Sequence, residues 1–306
     1  MVTGDLTKNR FDLSDFKKLG YARAVQFAFR ETIQLKTETS PSSARLGSLV
    51  IVGTGIKLGS HLSPISLSHL QKADVVFAAV TDEITEMWLR QLNGNVQSFA
   101  PLYADGKSRH QTYQEMIDLM LKEVRAGKQV VGAFYGHPGV FAYAPHKSIE
   151  LARAEGYFAL MEPGISAADC LHADLGIDPG KFGCQYYEAS QFMFYQRRID
   201  PTAYLVLWQI ALAGEQTYAQ FTTGEAQLQL LVELLSADYP AEHQVVIYEA
   251  ASMPFEDPRM EWMPLSALPT ARLTLRSTLV LPPSQSLQPN PIMLAALERL
   301  NVMASD

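Results

Sequence analysis

The stretch QVVGAFYGHPGVF, residues 129–141, contains the feature that decides the fold. Its first six residues are mostly apolar and predict a buried strand. In the next seven, Gly136, Pro138 and Gly139 stand so close together that the chain neither continues the strand nor begins a regular helix. A fixed loop therefore follows the carboxyl end of a strand, where open α/β sheets bind ligands. The alternative is a purely structural turn, which would not need the Tyr, His and Phe side chains of this loop.

Short β-branched runs alternate with helical segments on both sides of this stretch. SLVIVGTGI (48–56) and DVVFAAV (74–80) predict strands, and 110–126 predicts a helix. This alternation predicts a mostly parallel sheet with helices on its faces. Beyond residue 178 the runs AYLVLWQIA (203–211), HQVVIYEAAS (243–252) and ARLTLRSTLVLPP (271–283) predict longer, more antiparallel strands.

The sequence therefore predicts an α/β protein with two α/β domains. We expect an N-terminal domain over 47–163, with a mostly parallel sheet, and a C-terminal domain over 164–284, with a mixed sheet. Residues 1–46 form an extension in which a charged, helix-prone segment (13–36) precedes a polar linker. A helical tail is expected over 285–306, with its helix at 291–300.

Composition excludes several classes of protein. The chain of 306 residues has a formal net charge of −7, which gives no electrostatic basis for binding nucleic acid. No apolar run reaches the length of a membrane span, and the N-terminus lacks a signal sequence, so a cytoplasmic protein is expected. Cys170, Cys184, His146 and His172 lack the spacing of metal ligands, so we predict no metal.

Two further loops could approach a ligand. Gly53 and Gly55 follow the first strand, but their spacing, GxGxxxG, is not the dinucleotide fingerprint GxGxxG. A nicotinamide-binding domain, a tight structural turn and a ligand loop all remain open for this segment. In EPGISAAD (162–169), Gly164 or Ser166 can cap a helix whose small first residues admit a ligand.

Taken in order, GTG, YGHPGVF and PGISA resemble the tetrapyrrole methylase class of S-adenosylmethionine enzymes. The longer stretches MEPGISAADCLHADLGIDP, YEASQFMFY and LWQIALAGE are most similar to borosin-type peptide backbone α-N-methyltransferases. This resemblance implies a cofactor cleft between the two domains, a homodimer and a ribosomally made peptide as substrate. Because the chain carries no repetitive Val, Ile or Gly tract at its end, we expect the precursor peptide to be a separate polypeptide.

Amide methylation requires a base near the nitrogen and hydrogen-bond donors for the developing oxyanion. Arg109 and Tyr113 stand at i and i+4, on one face of the predicted helix. By resemblance these two are assigned to deprotonation and oxyanion stabilisation, and Tyr103 and Tyr135 to orienting the amide. The guanidinium is expected to lower a tyrosine pKa. Without the resemblance, such a Tyr–Arg pair is more often a packing or surface contact.

The same mapping assigns S-adenosylmethionine to a set of loop and strand residues. They are Gly53, Gly55, Tyr135, His137, Val140, Phe141, Ser166, Ala167, Gln209, Ala211, Tyr248 and Thr278. Gln209 is expected to be a buried amide within a strand, satisfied either by the cofactor or by the protein. Two other functions remain open, namely a porphyrinoid C-methyltransferase and a nicotinamide-binding or noncatalytic α/β protein.

Overall fold

The computed structural model describes residues 46–104, 106–217 and 222–303, with side chains up to residue 301. The helix predicted over 13–36 lies outside the described residues. Within the described part, the secondary structure forms two five-stranded sheets, each with its own helices.

The first sheet is entirely parallel and has the strand order β3-β2-β4-β1-β5. Its strands are β1 (Ser48–Gly53), β2 (Val75–Ala79), β3 (Val96–Ser98), β4 (Gln129–Phe134) and β5 (Phe158–Met161). Four helices connect them: α1 (Pro64–Lys72), α2 (Glu83–Leu92), α3 (Arg109–Arg125) and α4 (Tyr143–Ala154). This confirms the parallel sheet that the alternating pattern predicts.

Alternation along β1 explains why both faces of this sheet are covered. Leu49 and Ile51 belong to the cluster that includes Met116 of α3, whereas Val50 and Val52 pack with Leu70 of α1. Successive side chains of a strand point to opposite faces, so an uninterrupted apolar run requires a helical layer on each side. The loops after β1 and β4 meet between these two layers.

The second sheet is mixed, with the order β6-β7-β10-β8-β9. β6 pairs with β7 in parallel, and the other three pairings are antiparallel. The strands are β6 (Cys184–Glu188), β7 (Tyr204–Trp208), β8 (Gln244–Glu249), β9 (Arg259–Pro264) and β10 (Thr278–Leu281). Helices in this half are α5 (Ala167–Leu175), α6 (Pro179–Phe182), α7 (Ala189–Phe194) and α8 (Glu225–Leu235), followed by α9 (Pro291–Met303).

The two faces of the second sheet differ in what covers them. Leu205 and Leu207 face the helix α8, whereas Val206 and Trp208 pack with Leu171 of α5. The latter cluster also contains Ile56, from the loop after β1. One face of the second sheet is thus turned toward the carboxyl ends of the first sheet.

Two predicted strands are shorter than expected. The run 203–211 stops at Trp208, because Gln209 adopts a left-handed conformation with φ 57°. The run 271–283 yields only Thr278–Leu281, because the backbone N–H of Ser277 donates to the carbonyl of Thr274 and closes a turn. The edge strands β6 and β9 escaped prediction, since CQYYE and RMEWMP show no clean apolar alternation.

Among the described residues, no helix combines the length and apolar character that a bilayer span requires.

Candidate active site

A cavity of about 390 Å³ lies between the carboxyl ends of the first sheet and the inner face of the second. This volume is in the range of small-molecule and cofactor sites. Eleven of the residues predicted from the sequence line it: Tyr103, Tyr113, Tyr135, His137, Val140, Phe141, Ser166, Ala167, Gln209, Tyr248 and Thr278. Four predicted residues, Gly53, Gly55, Arg109 and Ala211, do not line it.

The glycines after β1 contact protein backbone. Gly55 forms a bridge with Gly136, which follows β4. A Cβ atom on Gly53 would lie 2.3 Å from the carbonyl oxygen of Gly136 and 2.9 Å from the Cα of Gly164. Three loops therefore meet at a distance that only glycine allows. Gly53 and Gly55 therefore hold the lining residues in place, and their predicted contact with the cofactor stays a prediction.

The YGHPGVF loop is fixed by hydrogen bonds to its own histidine. The backbone N–H of Gly139 donates to Nδ1 of His137 at 3.0 Å, and the N–H of Val140 donates to the carbonyl of His137 at 3.1 Å. An accepting Nδ1 leaves the ring proton on Nε2 of a neutral imidazole. His137 therefore shapes the loop and keeps one N–H donor.

Phe141 and Gln209 have positive φ angles, 50° and 57°, unlike every other non-glycine residue that the structure describes. Such conformations cost about 1 to 3 kcal/mol and concentrate at functional sites. Both residues line the cavity, and the ring of Phe141 lies 6.1 Å from that of Trp208, the residue before Gln209. The Gln209 side chain is exposed, so the prediction of a buried amide within a strand is wrong. The left-handed turn instead aims it into the cleft.

Ala211 is buried in the 3₁₀ helix Ile210–Leu212. Its carbonyl accepts a hydrogen bond from the backbone N–H of Thr223 at 2.8 Å. Ala211 is not among the residues that line the cavity, and its predicted contact with the cofactor stays a prediction.

Several tyrosines line the cavity, and they belong to different parts of its wall. Tyr103 precedes α3, Tyr113 lies on its second turn, and the ring of Tyr143 at the start of α4 is 6.3 Å from that of Tyr113. Desolvation raises the pKa of Tyr103 to about 12, with Tyr113 adding to the shift and Arg109 opposing it. Burial also raises the pKa of Tyr135. The Arg109 guanidinium lowers the pKa of Tyr103, as predicted, but desolvation raises this pKa by more.

Arg109, the first residue of α3, forms an ion pair with Glu215. Its Nη2 atom donates to the Glu215 carboxylate at 3.1 Å, and both side chains are largely buried. Arg109, which the resemblance assigns to deprotonation and oxyanion stabilisation, is not among the residues that line the cavity. In the structure the guanidinium is held from the second half of the chain and reaches the cavity through its electrostatic effect on Tyr103.

Two further predicted residues have hydrogen-bond partners within the protein: Tyr248, on the second sheet, and Ser166, which precedes α5. The Tyr248 hydroxyl donates to a carboxylate oxygen of Asp174 at 2.7 Å, so its ring, with this oxygen turned away, forms cavity wall. Ser166 caps α5, where its hydroxyl and backbone N–H engage Asp169.

The lining also includes residues that were not predicted from the sequence, among them the large side chains of Tyr143, Trp208 and Arg276. Tyr143 opens a helix and Trp208 ends a strand, positions that elsewhere belong to the core. Arg276 lies in the turn that interrupts the predicted strand 271–283. No motif marks Tyr143 or Arg276, and Trp208 lies in the stretch LWQIALAGE without having been singled out. The packing of one half against the other brings all three to the cleft. Among the described residues, no group of three or more His, Cys, Asp or Glu side chains could hold a metal ion.

Curated proteins are similar to this chain over most of its length. The methyltransferase/ribosomally synthesized cyclic peptide gymnopeptides precursor of Gymnopus fusipes is 39% identical over 271 residues, 87% of this chain and 64% of that protein. The corresponding omphalotin A precursor of Omphalotus olearius is 40% identical over 267 residues, 86% of this chain and 64% of that protein. The chain thus spans about 64% of the length of these relatives.

Solved structures share the fold at low sequence identity. A cobalt precorrin-4 methyltransferase superposes with a TM-score of 0.57 at 18% identity, covering 79% of this chain and 97% of that one. The uroporphyrin-III-C-methyltransferase of Thermus thermophilus gives 0.54 at 20%, covering 78% and 92%. Residues 48–262 match the family described as Tetrapyrrole (Corrin/Porphyrin) Methylases. With the two sheets, the glycine loops and the cleft between them, this match shows that the chain belongs to the tetrapyrrole methylase family.

Proposed function

We propose that the protein is an S-adenosylmethionine-dependent methyltransferase that methylates backbone amide nitrogens of a ribosomally made peptide, in repeated rounds. The observation that carries the proposal is that Tyr103, Tyr113 and Tyr135 all line the cavity, with the charge of Arg109 acting on Tyr103. The names of the curated relatives, which pair a methyltransferase with a cyclic peptide precursor, support a peptide acceptor.

The chemistry of the cavity fits the cofactor. S-adenosylmethionine carries a sulfonium cation, and aromatic faces attract cations. Eight of the 25 described lining residues are Phe, Tyr or Trp, and none is Asp or Glu. Aromatic side chains would therefore be available to hold the sulfonium, and no described carboxylate of the lining would pair with it. Val140, Phe141 and Ala167 would flank the adenine, while His137, Ser166, Gln209 and Arg276 offer polar contacts.

When bound, the cofactor supplies an electrophilic methyl group. The protein must then make an amide nitrogen nucleophilic, although resonance with the carbonyl delocalises its lone pair. Tyr113 is assigned as the base that takes the amide proton onto its phenolate oxygen. As that proton leaves, negative charge grows on the amide oxygen. Tyr103 and Tyr135 orient the amide, and the positive potential of Arg109 stabilises the charge.

The raised tyrosine pKa values bear on how this step works. Free Tyr103, with a pKa near 12, is a protonated hydrogen-bond donor at neutral pH. A tyrosine that donates a hydrogen bond can hold the amide oxygen. The tyrosine that accepts the amide proton must instead be partly ionised. A positively charged cofactor beside the tyrosines would favour the phenolate.

The curated relatives also favour a peptide over a macrocycle as acceptor. Proteins named as cyclic peptide precursors are 35–40% identical to this chain, whereas the solved precorrin and uroporphyrin enzymes are 13–20% identical. A flat macrocycle would need a wide opening beside the tyrosines. We therefore keep the peptide as the proposed acceptor.

A homodimer is part of the proposal. The helix α9 exposes a row of apolar side chains, Met293, Leu297 and Leu300, which repeat at three- to four-residue steps. Ile292 and Leu294 beside them are also exposed, at 81% and 50%. A helix face of this kind is stabilised when it packs against a second apolar surface.

Calorimetric titration tests the cofactor. We expect S-adenosylmethionine and S-adenosylhomocysteine to bind at micromolar strength or better, and NAD to give no heat. Mass spectrometry then tests the acceptor: incubation with S-adenosylmethionine and a linear, unmethylated omphalotin A peptide should add methyl groups that fragmentation places on backbone nitrogen. Heat from NAD alone, or methylation of uroporphyrinogen and not of peptide, would overturn the proposal.

A further inference from the structure

Glu215 is a buried carboxylate to which the proposed function gives no role. It follows the 3₁₀ helix Ile210–Leu212, and 2% of its side chain is exposed. One carboxylate oxygen, Oε2, accepts from Nη2 of Arg109 at 3.1 Å. The other, Oε1, accepts from the backbone N–H of Thr217 at 2.6 Å and from its hydroxyl at 2.5 Å. Both oxygens of the carboxylate are therefore in use.

A carboxylate placed this deep is retained only with matching partners. Burial of a charge without compensation costs several kcal/mol, and charge-assisted hydrogen bonds offset much of that cost. Here the compensating cation is Arg109, a residue of the first half of the fold, while Glu215 belongs to the second half. The ion pair therefore joins the two halves of the fold between which the cavity lies.

The loop that presents Glu215 is itself anchored. The carbonyl of Leu212 accepts from the backbone N–H of Glu215 at 2.9 Å and from the hydroxyl of buried Ser190 at 2.6 Å. Gly214 takes a positive φ of 77° to complete the turn. Because this carboxylate accepts hydrogen bonds at both oxygens, its orientation is fixed. It therefore also fixes the direction of the guanidinium that it binds.

From this geometry we infer that Glu215 is a positioning residue: it orients the Arg109 guanidinium toward Tyr103 in the cavity wall. The inference rests on the proposed function and adds to it a residue that does not touch the substrate. Arg109 begins α3, the helix that carries Tyr113. Because Glu215 ties that helix end to the second sheet, the arrangement of base and cation depends on both halves.

The test compares Glu215→Gln with a matched control on the same helix. Glu155→Gln removes the bidentate partner of Arg125, the last residue of α3 and about 24 Å from Arg109 along the helix axis. We expect Glu215→Gln to lower kcat for peptide methylation about 10- to 100-fold, as loss of a hydrogen bond to a charged group does, with little change in peptide KM or in cofactor affinity. Glu155→Gln should leave all three constants near wild type.

A double-mutant cycle separates positioning from a general effect on folding. If Glu215 acts through Arg109, Arg109→Lys and Glu215→Gln together should lower kcat little more than the stronger single change. Multiplied effects would show independent action and overturn the inference. So would a uniform loss of kcat, cofactor affinity and thermal stability in Glu215→Gln. Should that variant not fold, Thr217→Val removes one hydroxyl contact from the carboxylate and should produce a smaller loss in kcat alone.

A measurement without turnover distinguishes failure of this inference from failure of the proposed function. In ¹⁵N side-chain spectra of the wild type, an Arg109 guanidinium held by Glu215 should show slow rotation of its Nη groups. The rotation should become fast in Glu215→Gln and stay slow in Glu155→Gln. Slow rotation with no peptide methylation would contradict the proposed function alone, and fast rotation in the wild type would contradict the pair.

Discussion

Gly55 and Gly136 join the ends of two neighbouring parallel strands by a pair of backbone hydrogen bonds. The N–H of Gly55 donates to the carbonyl of Gly136 at 3.2 Å, and the N–H of Gly136 donates to the carbonyl of Gly55 at 3.0 Å. The same carbonyl of Gly136 lies against Gly53 and Gly164. Loops that diverge after β1 and β4 are thereby clamped together at the floor of the cavity.

The clamp predicts that Gly53→Ala is strongly destabilising. Its Cβ would lie 2.3 Å from the carbonyl oxygen of Gly136, a backbone atom that cannot move without breaking the pairing with Gly55. Overpacking of this kind costs about 1 to 3 kcal/mol. Urea denaturation should show the loss in the free energy of unfolding, and calorimetry a weaker affinity for S-adenosylmethionine.

Gly94→Ala is the control for that substitution, because nothing lies within 4 Å of a Cβ at this position. It should leave both quantities unchanged. Equal stability of Gly53→Ala and wild type would mean that the loops can separate without cost.

The proposed chemistry predicts that Tyr113→Phe and Arg109→Lys suppress methyl transfer while cofactor affinity stays nearly intact. Both groups act mainly in the transition state, so Tyr113→Phe should cost about 2.7 to 4 kcal/mol, or roughly a hundred- to thousand-fold in rate. Arg109→Lys should cost less, because it keeps the charge and loses only the fixed geometry of the guanidinium. Lysine is preferred to alanine at position 109, because it keeps a cation beside the buried Glu215. Mass spectrometry of a peptide incubated with each variant measures the effect. Wild-type rates in both variants would indicate that Arg109 and Tyr113 have a packing role and not a catalytic one.

Tyr239→Phe is predicted to stabilise the protein slightly. Its ring is 1% exposed, and among the described residues its hydroxyl has no hydrogen-bond partner. Removing an unsatisfied buried hydroxyl recovers part of a desolvation cost of about 1 to 3 kcal/mol, and phenylalanine keeps the ring contact with His243. Thermal denaturation at neutral pH should show a higher midpoint than in the wild type or in Tyr195→Phe, an exposed control.

The same residue predicts a pH dependence. Burial, with Asp238 and Asp200 adding, raises the pKa of Tyr239 from 10.0 to about 12. Between these values the folded state binds more protons than the unfolded state, so stability falls as the pH rises from about 10 to 12. In Tyr239→Phe this part of the decline should be missing. A parallel decline in wild type and variant would show that folding does not raise the pKa of this hydroxyl, and therefore that water reaches it in the folded state.

The exposed face of α9 predicts that Leu297→Glu shifts a homodimer toward monomer. A charge in the middle of an apolar contact is desolvated without a partner, whereas Glu298→Gln beside it changes a polar position. Light scattering should give twice the chain mass for wild type and Glu298→Gln, and a lower mass for Leu297→Glu. A fully active monomeric wild type would contradict the dimer.

Local sequence sufficed for the loops and for much of the cavity lining. YGHPGVF predicts its own fixed loop, because Gly136, Pro138 and Gly139 exclude regular structure whatever surrounds them. His137 stabilises the loop through an atom only two residues away. The strands of the first sheet could be predicted equally well, because a strand that is buried on both faces consists of an uninterrupted apolar run.

The sequence was less informative where contacts are long-range. β6 and β9 lie at sheet edges and are partly exposed, so their residues carry no periodic signal. Gln209 stands in an apolar run, yet its left-handed backbone ends the strand and turns the side chain into the cleft. No local rule places a glutamine in that conformation.

By itself, the sequence determined the parallel sheet, the glycine loops at its carboxyl edge and the set of tyrosines, because each depends on residues close in the chain. Only the tertiary structure decided that Arg109 is held by Glu215, 106 positions away, and that Tyr143, Trp208 and Arg276 join the cavity wall. The physical reason is that an ion pair between two halves of a fold depends on how their sheets pack. That packing is decided by the whole core and leaves no mark in the spacing of its few charged residues.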